Sequence, residues 1–323
     1  LEGYDEAIHG ASGIKALKGK KVPLIDKLVI SFMEEDNAWW NSFSKGNEVQ
    51  IVRVPQQQVS GVVEMSSVVE SFSPFRLKPQ YAAKYAGRLV PEFGFAYFVF
   101  NMDNPEVGYN KDPQRNQRNR ELRCSIRQAH DWKTQIKRFY NGVGEAFPGV
   151  IPPLLDGYDE KLSRESVTMN VEAAKARLAK AGWTGENLPI LEYNTPSRLD
   201  EKQIFEFFRG NLLAIGYPTN KIKLKSYPTY GDFNKALTLR KAQFIRINWG
   251  MDFPDSENAL QLFYGPNGAP CANSSNYNNP EYNSLFKKAS VLFPSPERTK
   301  IYKKLNQIVI DDCVAISGYP RPF

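Results

Sequence analysis

A regular alternation of strand-like and helix-like segments in the later part of the chain limits the possible folds more than any other feature. Short apolar segments at 190–193, 222–224 and 244–248 have the length of strands. A segment of helical spacing that Asn170 can cap precedes the first of them, and one that Asp200 can cap lies between the first and the second. Such an order predicts a sheet whose strands are joined by crossover helices. No stretch approaches about 18 uninterrupted apolar residues, so the sequence predicts no membrane-spanning helix.

The earlier part of the chain also has a mixed α/β pattern. Residues 26–32 alternate between apolar and polar and predict a half-buried strand, and residues 93–101 predict a second, more apolar strand. Residues 103–120 contain almost no apolar side chains and predict a loop that crosses between domains. Residues 122–140 have helical spacing. At about 150 residues per domain, the length allows two domains.

The chain is basic, with 42 Lys and Arg residues against 35 Asp and Glu residues and a net charge of +7. The basic residues are densest between 111 and 138, where few aromatics accompany them, so we interpret this segment as a solvated helix face and not as a nucleic-acid site. Cys124, Cys271 and Cys313 have no metal-ligand spacing. They could form one disulfide and a free thiol, or remain three thiols.

One segment, residues 248–258, combines an indole with several carboxylates directly after a predicted strand. Trp249 is followed by Asp252, Asp255 and Glu257. A carboxylate beside an indole suits a cation such as an α-ammonium group, through charge pairing and contact with the aromatic face. The same acids could instead supply an acid/base pair, as in glycoside hydrolysis, or merely cap the following helix.

From this segment outward, the sequence resembles the family 5 extracellular solute-binding proteins, the receptors of peptide-type ABC importers. The resemblance is carried by the ordered motifs WGMDFPDSEN at 249–258, LFYGPN at 262–267, NSSNYNNPEY at 273–282, YFVFNM at 97–102, NRELR at 119–123 and AAK followed by LAKAGW within 173–183. Each motif is weak alone, but the ordered set covers nearly the whole chain. Cys271 departs from the pattern, since a glycine is usual there.

The resemblance implies an α/β fold of the periplasmic-binding-protein-like (type II) class with two lobes. It implies that residues 1–104 are a partial first lobe, to which 316–323 return as a strand, and that 105–315 are the second lobe. It further implies that the family's N-terminal region and C-terminal tail are missing from this sequence.

The function implied by the resemblance is that of an extracytoplasmic substrate-binding protein of an ABC importer, which binds peptides between its lobes. Asp252 would pair with the ligand α-ammonium group and Trp249 would form a wall, while Tyr264, Asn276 and Tyr277 would also line the site. No catalysis, cofactor or metal is expected. The implied partners are a peptide or other small solute, the importer's membrane permease and, if it is a separate chain, the missing N-terminal part; nucleic acid is not expected. The implied location is the periplasm or the outer face of a membrane.

Two alternatives remain open at this point. The same fold could bind an oligosaccharide or another small solute, because an indole stacks on a sugar as readily as beside an ammonium group. A carboxylate-pair hydrolase is the alternative from another functional class.

Overall fold

The computed structural model describes residues 17, 19–21, 23–33, 35–51, 54–64, 76–87, 94–142 and 144–320. The chain divides into two compact units, residues 1–55 and residues 56–323. The division into lobes at residues 104 and 105 remains a prediction. Among the described residues, no helix combines the length and the apolar character that a membrane crossing needs.

The described part of the first unit contains one α-helix, α1 (Asp36–Ser44), in which Trp40 is buried. The strand predicted at 26–32 is wrong, because these residues have no regular secondary structure. Leu28, Ile30 and Phe32, its predicted inner face, are 76%, 65% and 93% exposed. A strand needs a hydrogen-bonded neighbour, and the described residues of this unit contain no other strand.

The second unit is built around a five-stranded mixed sheet. Its strands are β1 (Gly94–Phe100), β2 (Leu191–Pro196), β3 (Ile222–Tyr227), β4 (Phe244–Gly250) and β5 (Ala315–Pro320). They lie in the order β3-β2-β4-β1-β5. β2 runs parallel to both β3 and β4, whereas β1 is antiparallel to β4 and β5. The predicted sheet with crossover helices is therefore present.

The described part of the second unit also contains α-helices, several of which connect the strands. In chain order they are α2 (Gln56–Val62), α3 (Pro79–Ala82), α4 (Pro113–Ala129), α5 (Trp132–Phe139), α6 (Val171–Lys180), α7 (Leu199–Ala214), α8 (Tyr230–Thr238), α9 (Ser256–Leu260), α10 (Pro280–Ala289) and α11 (Pro296–Asp312). α7 joins the parallel strands β2 and β3, and α8 joins β3 to β4. Stacked rings fill the core beneath the sheet, with the centroid of Phe98 5.6 Å from that of Phe208 and 5.7 Å from that of Phe244.

The polar segment after β1 is not only a loop, which corrects the prediction for 103–120. α4 begins at Pro113, because the Asp112 carboxylate accepts a hydrogen bond from the Gln114 N–H at 2.9 Å and Pro113 suits the first helical position. The helix predicted at 122–140 is in fact two helices. Asp131 caps the second by accepting from the Thr134 N–H at 3.0 Å.

The basic segment is also more than a solvated face. Arg123 is buried and donates to the carbonyl oxygens of Val107 at 2.8 Å and Asp312 at 3.0 Å, and Arg127 donates to that of Ile310. Burial lowers the pKa of each of these two guanidinium groups to about 10. The last carbonyls of a helix have no partner inside it, so the arginines complete the C-terminal end of α11.

The three cysteines are distributed as one disulfide and one thiol. Cys124 in α4 is bonded to Cys313 directly after α11, with a Cα–Cα distance of 5.1 Å. Cys271 is free and exposed. The disulfide therefore joins the same two helices that Arg123 and Arg127 connect.

Candidate functional site

The site is built where β4 ends and the chain turns into α9. β4 ends at Gly250, which pairs with Gly94 of β1. A Cβ atom at position 94 would lie 2.6 Å from the carbonyl oxygen of Trp249, so the close approach of the two strands requires glycine there. The turn is closed by the N–H of Asp255, which donates to the carbonyl of Phe253 at 2.9 Å. This edge carries the carboxyl ends of the parallel strands, where open α/β sheets bind ligands.

A single buried amide, that of Asn258, sets the positions of the indole and of the first carboxylate. The Trp249 Nε1–H donates to Asn258 Oδ1 at 2.7 Å, and Asn258 Nδ2 donates to Asp252 Oδ2 at 3.3 Å. Asn258 is fully buried in α9, Trp249 is partly buried, and Asp252 is exposed. The amide thus holds the ring and the carboxylate side by side while the carboxylate faces outward.

Asp252 opens onto a cavity of about 390 Å³. The lining side chains come from the turn, from α9 and the loop after it, and from α10: Asp252, Phe253, Glu257, Asn258, Gln261, Tyr264, Asn267, Phe286 and Ser290. Tyr264 and Phe286 stack with ring centroids 4.6 Å apart and form an aromatic wall. Asn283 Oδ1 accepts from the Gly265 N–H at 2.8 Å, which fastens this wall to α10.

Of the other two acids in the segment, Asp255 binds several groups of the protein itself. It accepts from the Glu257 N–H at 2.9 Å as the cap of α9, and its two carboxylate oxygens contact the Arg298 guanidinium at 2.9 and 3.0 Å. The Tyr302 hydroxyl donates to it at 3.1 Å. The capping interpretation therefore holds for Asp255, while Asp252 and Glu257 are the two carboxylates on the cavity wall.

Asn276 and Tyr277 lie apart from the cavity wall, although the resemblance implied that they line the site. Asn276 is buried; its Oδ1 accepts from the Ala269 N–H at 3.0 Å and its Nδ2 donates to Asn101 Oδ1 at 3.0 Å. Tyr277 is fully buried and its hydroxyl donates to Asp312. Both side chains hold the 273–282 segment against the rest of the unit. Of the five predicted residues, Asp252 and Tyr264 line the cavity, and Trp249 is connected to it through its hydrogen bond to Asn258.

Several lining residues were not predicted. Asn258 ends the recognised motif at 249–258, but no sequence pattern distinguishes it as the bridge between Trp249 and Asp252. Asn258 and Gln261 are three positions apart, and Phe286 and Ser290 four apart, so helical spacing places each pair on one face. That spacing would have identified these pairs only if the cavity between α9 and α10 had been known.

A comparison with known protein families identifies the chain over most of its length. The model of the bacterial extracellular solute-binding proteins, family 5 (middle region), matches residues 15–270. Members of this family are extracellular solute-binding proteins.

Curated relatives match smaller parts of longer proteins. Heme-binding protein A of Haemophilus influenzae is 25% identical over 220 residues, which are 66% of this chain and 37% of that protein. Di/tripeptide-binding protein 1 of Pseudomonas aeruginosa is 26% identical over 194 residues, which are 58% of this chain and 35% of that protein. The aligned parts thus span little more than a third of these relatives.

Solved structures share the fold. DppA from Helicobacter pylori, in complex with the peptide STSA, superposes with a TM-score of 0.71 at 18% identity, covering 92% of this chain and 52% of that one. The binding protein AgaA of A. tumefaciens, in complex with agropinic acid, gives 0.68 at 21% identity, covering 90% and 53%. The expected α/β, periplasmic-binding-protein-like (type II) fold is confirmed. This chain spans about half the length of these two structures.

Proposed function

Because the chain belongs to the family 5 extracellular solute-binding proteins of bacteria, we propose that it serves as the substrate-binding protein of an ABC importer and binds peptides. Asp252 pairs with the α-ammonium group of the ligand, and Trp249 and Tyr264 are aromatic neighbours of that group. The protein works outside the cytoplasm, in the periplasm or at the outer face of a membrane, and delivers its ligand to the membrane permease. It binds its ligand without changing it chemically, because delivery to the permease requires only that the protein enclose the ligand and then release it.

The observation that carries this proposal is the arrangement of Trp249, Asn258 and Asp252. An ammonium group needs a negative oxygen and gains further from a nearby aromatic face. Asn258 occupies one oxygen of Asp252 and leaves the carboxylate directed to a cavity that is open to ligand. The remainder of a peptide is bound through its backbone donors and acceptors, which are common to all peptides and allow many side chains.

Removal of the Asp252 charge tests this assignment. Asp252→Asn should weaken the binding of alanyl tripeptide by about tenfold or more, because a hydrogen bond to a charged group contributes roughly 1.5–3 kcal/mol. Isothermal titration calorimetry measures the loss directly. Asp311→Asn is the matched control, since Asp311 is exposed near the end of α11 and its carboxylate accepts only from Gln307 among the described hydrogen bonds. Equal affinities for the wild-type protein and Asp252→Asn would contradict the pairing.

An oligosaccharide is the second candidate ligand, and the partly buried indole of Trp249 is the observation that favours it. A sugar face stacks on an aromatic ring but carries no positive charge for Asp252. A neutral oligosaccharide that binds, and whose affinity falls in Trp249→Ala but not in Asp252→Asn, would replace the peptide proposal.

The hydrolase alternative is tested by mass spectrometry of the ligand recovered from the same titrations. An unchanged ligand mass is expected for a binding protein, whereas cleavage products would favour a hydrolase.

A further inference from the structure

A second carboxylate, that of Glu257, stands on the wall of the same cavity. Glu257 is the second residue of α9, where its backbone N–H is bound by the capping Asp255, so the start of the helix fixes where its side chain begins. Its side chain is 31% exposed. Burial raises the pKa of Glu257, and the charge and hydrogen bond of Arg298 offset that rise only in part. A further positive charge in the cavity would stabilise the carboxylate.

The nearest cation already has a closer partner. Arg298 contacts both oxygens of Asp255 at 2.9 and 3.0 Å, whereas its distance to Glu257 is 3.4 Å. Its guanidinium also lies 4.8 Å from the centre of the Tyr302 ring. Arg298 therefore pairs mainly with Asp255 and makes one longer hydrogen bond to Glu257. One guanidinium cannot neutralise the three carboxylates Asp252, Asp255 and Glu257, so negative charge is in excess at this site.

None of the described side chains that line the cavity is Lys, Arg or His. One carboxylate, that of Asp252, suffices for one ammonium group, so the carboxylate of Glu257 is left for another positive charge. Beside it, the Tyr264–Phe286 wall offers apolar surface to an alkyl chain, and the Gln261, Asn267 and Ser290 side chains offer oxygen acceptors.

We propose that Glu257 makes the cavity selective for peptides whose first residue has a basic side chain, by pairing with that second charge while Asp252 holds the α-ammonium group. This inference rests on the proposed function and adds the ligand class to it. The alkyl stem of the basic side chain lies along the Tyr264–Phe286 wall, and its charged end reaches Glu257.

Two peptides whose first side chains share the same four-carbon stem, one with and one without a terminal ammonium group, separate the contribution of charge from that of packing. Lysyl-alanyl-alanine and norleucyl-alanyl-alanine are titrated into the wild-type protein, Glu257→Gln and Glu281→Gln. The wild-type protein should bind the lysyl peptide about tenfold more tightly. In Glu257→Gln this ratio should fall to about one while the affinity for the norleucyl peptide changes less than twofold. Glu281→Gln, an exposed acid on α10, should keep the wild-type ratio.

The outcomes distinguish this inference from the proposed function. A ratio near one in the wild-type protein, or a tenfold ratio that persists in Glu257→Gln, overturns the role of Glu257 while norleucyl binding still supports peptide recognition through Asp252. Failure of both peptides to bind the wild-type protein overturns both proposals.

A pH series on the wild-type protein gives a readout that does not depend on a variant. Protonation of Glu257 should lower the lysyl-to-norleucyl ratio as the pH falls. Asp252, Asp255 and Arg298 are the other charged groups at this place. Asp252 pairs with the α-ammonium group that both peptides carry, so its contribution cancels from the ratio. A ratio above one that stays constant down to pH 4 would overturn the inference.

Discussion

At the scale of single residues, two buried side chains do most to organise the candidate site and its supporting core. Asn258 binds Trp249 with one amide atom and Asp252 with the other, so its orientation fixes theirs. Asn101, at the end of the strand predicted at 93–101, donates to the carbonyls of Arg240 and Ala242, both at 2.9 Å, and accepts from Asn276. Both asparagines belong to motifs of the resemblance. The sequence gives their positions, but their partners lie on segments that only the fold brings near.

A buried histidine predicts how stability responds to pH. His130 packs against Phe98 and Trp132, and neither ring nitrogen has a hydrogen-bond partner among the described residues. Burial lowers its pKa to about 3, below the ordinary 6.5, with a smaller opposing contribution from Asp131. The unfolded chain therefore binds a proton that the folded protein does not bind between these two pH values, and acid favours unfolding.

His130→Phe should remove this sensitivity. Below about pH 6.5, the free energy of unfolding of the wild-type protein should fall by about 1.4 kcal/mol per pH unit more than that of the variant. Urea unfolding at pH 7, 6, 5 and 4 measures both slopes, and their difference cancels the contributions of the carboxylates. Parallel curves would contradict a neutral, buried His130.

At the scale of elements, a strand or helix predicted from its local pattern formed where the fold also supplies its hydrogen-bonding partners. The strand predicted at 93–101 forms as β1 because β4 and β5 pair with it on both sides. Asn170 caps α6 as predicted, by accepting from the Ala173 N–H at 2.9 Å. The cap predicted at Asp200 is wrong, since α7 begins two residues earlier than that cap requires, at Leu199, and Arg198 is the residue before it.

The failures at this scale have physical causes. Residues 26–32 have the alternation of a strand but pair with no other strand among the described residues, and alternation alone does not supply such a neighbour. In α4, the polar first turns concealed a helix in which the buried Arg123 and the partly buried Arg127 donate to carbonyls of α11. A charge count along the sequence does not distinguish an arginine that faces water from one that completes a distant helix.

The disulfide that connects α4 to the end of α11 leads to a prediction about stability. Replacing both Cys124 and Cys313 by serine should lower the free energy of unfolding by roughly 2–5 kcal/mol, because the disulfide links residues 189 positions apart and restricts the unfolded chain. Cys271→Ser is the control and should leave stability nearly unchanged, since Cys271 is exposed and unpaired. Thermal or urea unfolding under non-reducing conditions measures both. Equal losses in the double variant and in the control would contradict the disulfide.

At the scale of the whole molecule, the order of motifs along the sequence predicted the α/β fold and the family correctly. Of the predicted ligand-binding residues, Asp252 and Tyr264 lie on the wall of one cavity, and whether they bind ligand stays a prediction. The contribution of Glu257, Gln261, Phe286 and Ser290 could not be read from the sequence, because the cavity exists only where α9 and α10 meet. Asn276 and Tyr277 show the converse, since both belong to a recognised motif but bind groups within the fold and do not line this cavity.

The central claim is that Asp252 recognises a peptide by its free α-ammonium group, and acetylation of that group tests it most directly. Trialanine and N-acetyl-trialanine differ only in this charge, so isothermal titration calorimetry of the unaltered protein compares them without the risk of a misfolded variant. The account predicts that trialanine binds about tenfold or more tightly than its acetylated form. Equal affinities for the two peptides would contradict it.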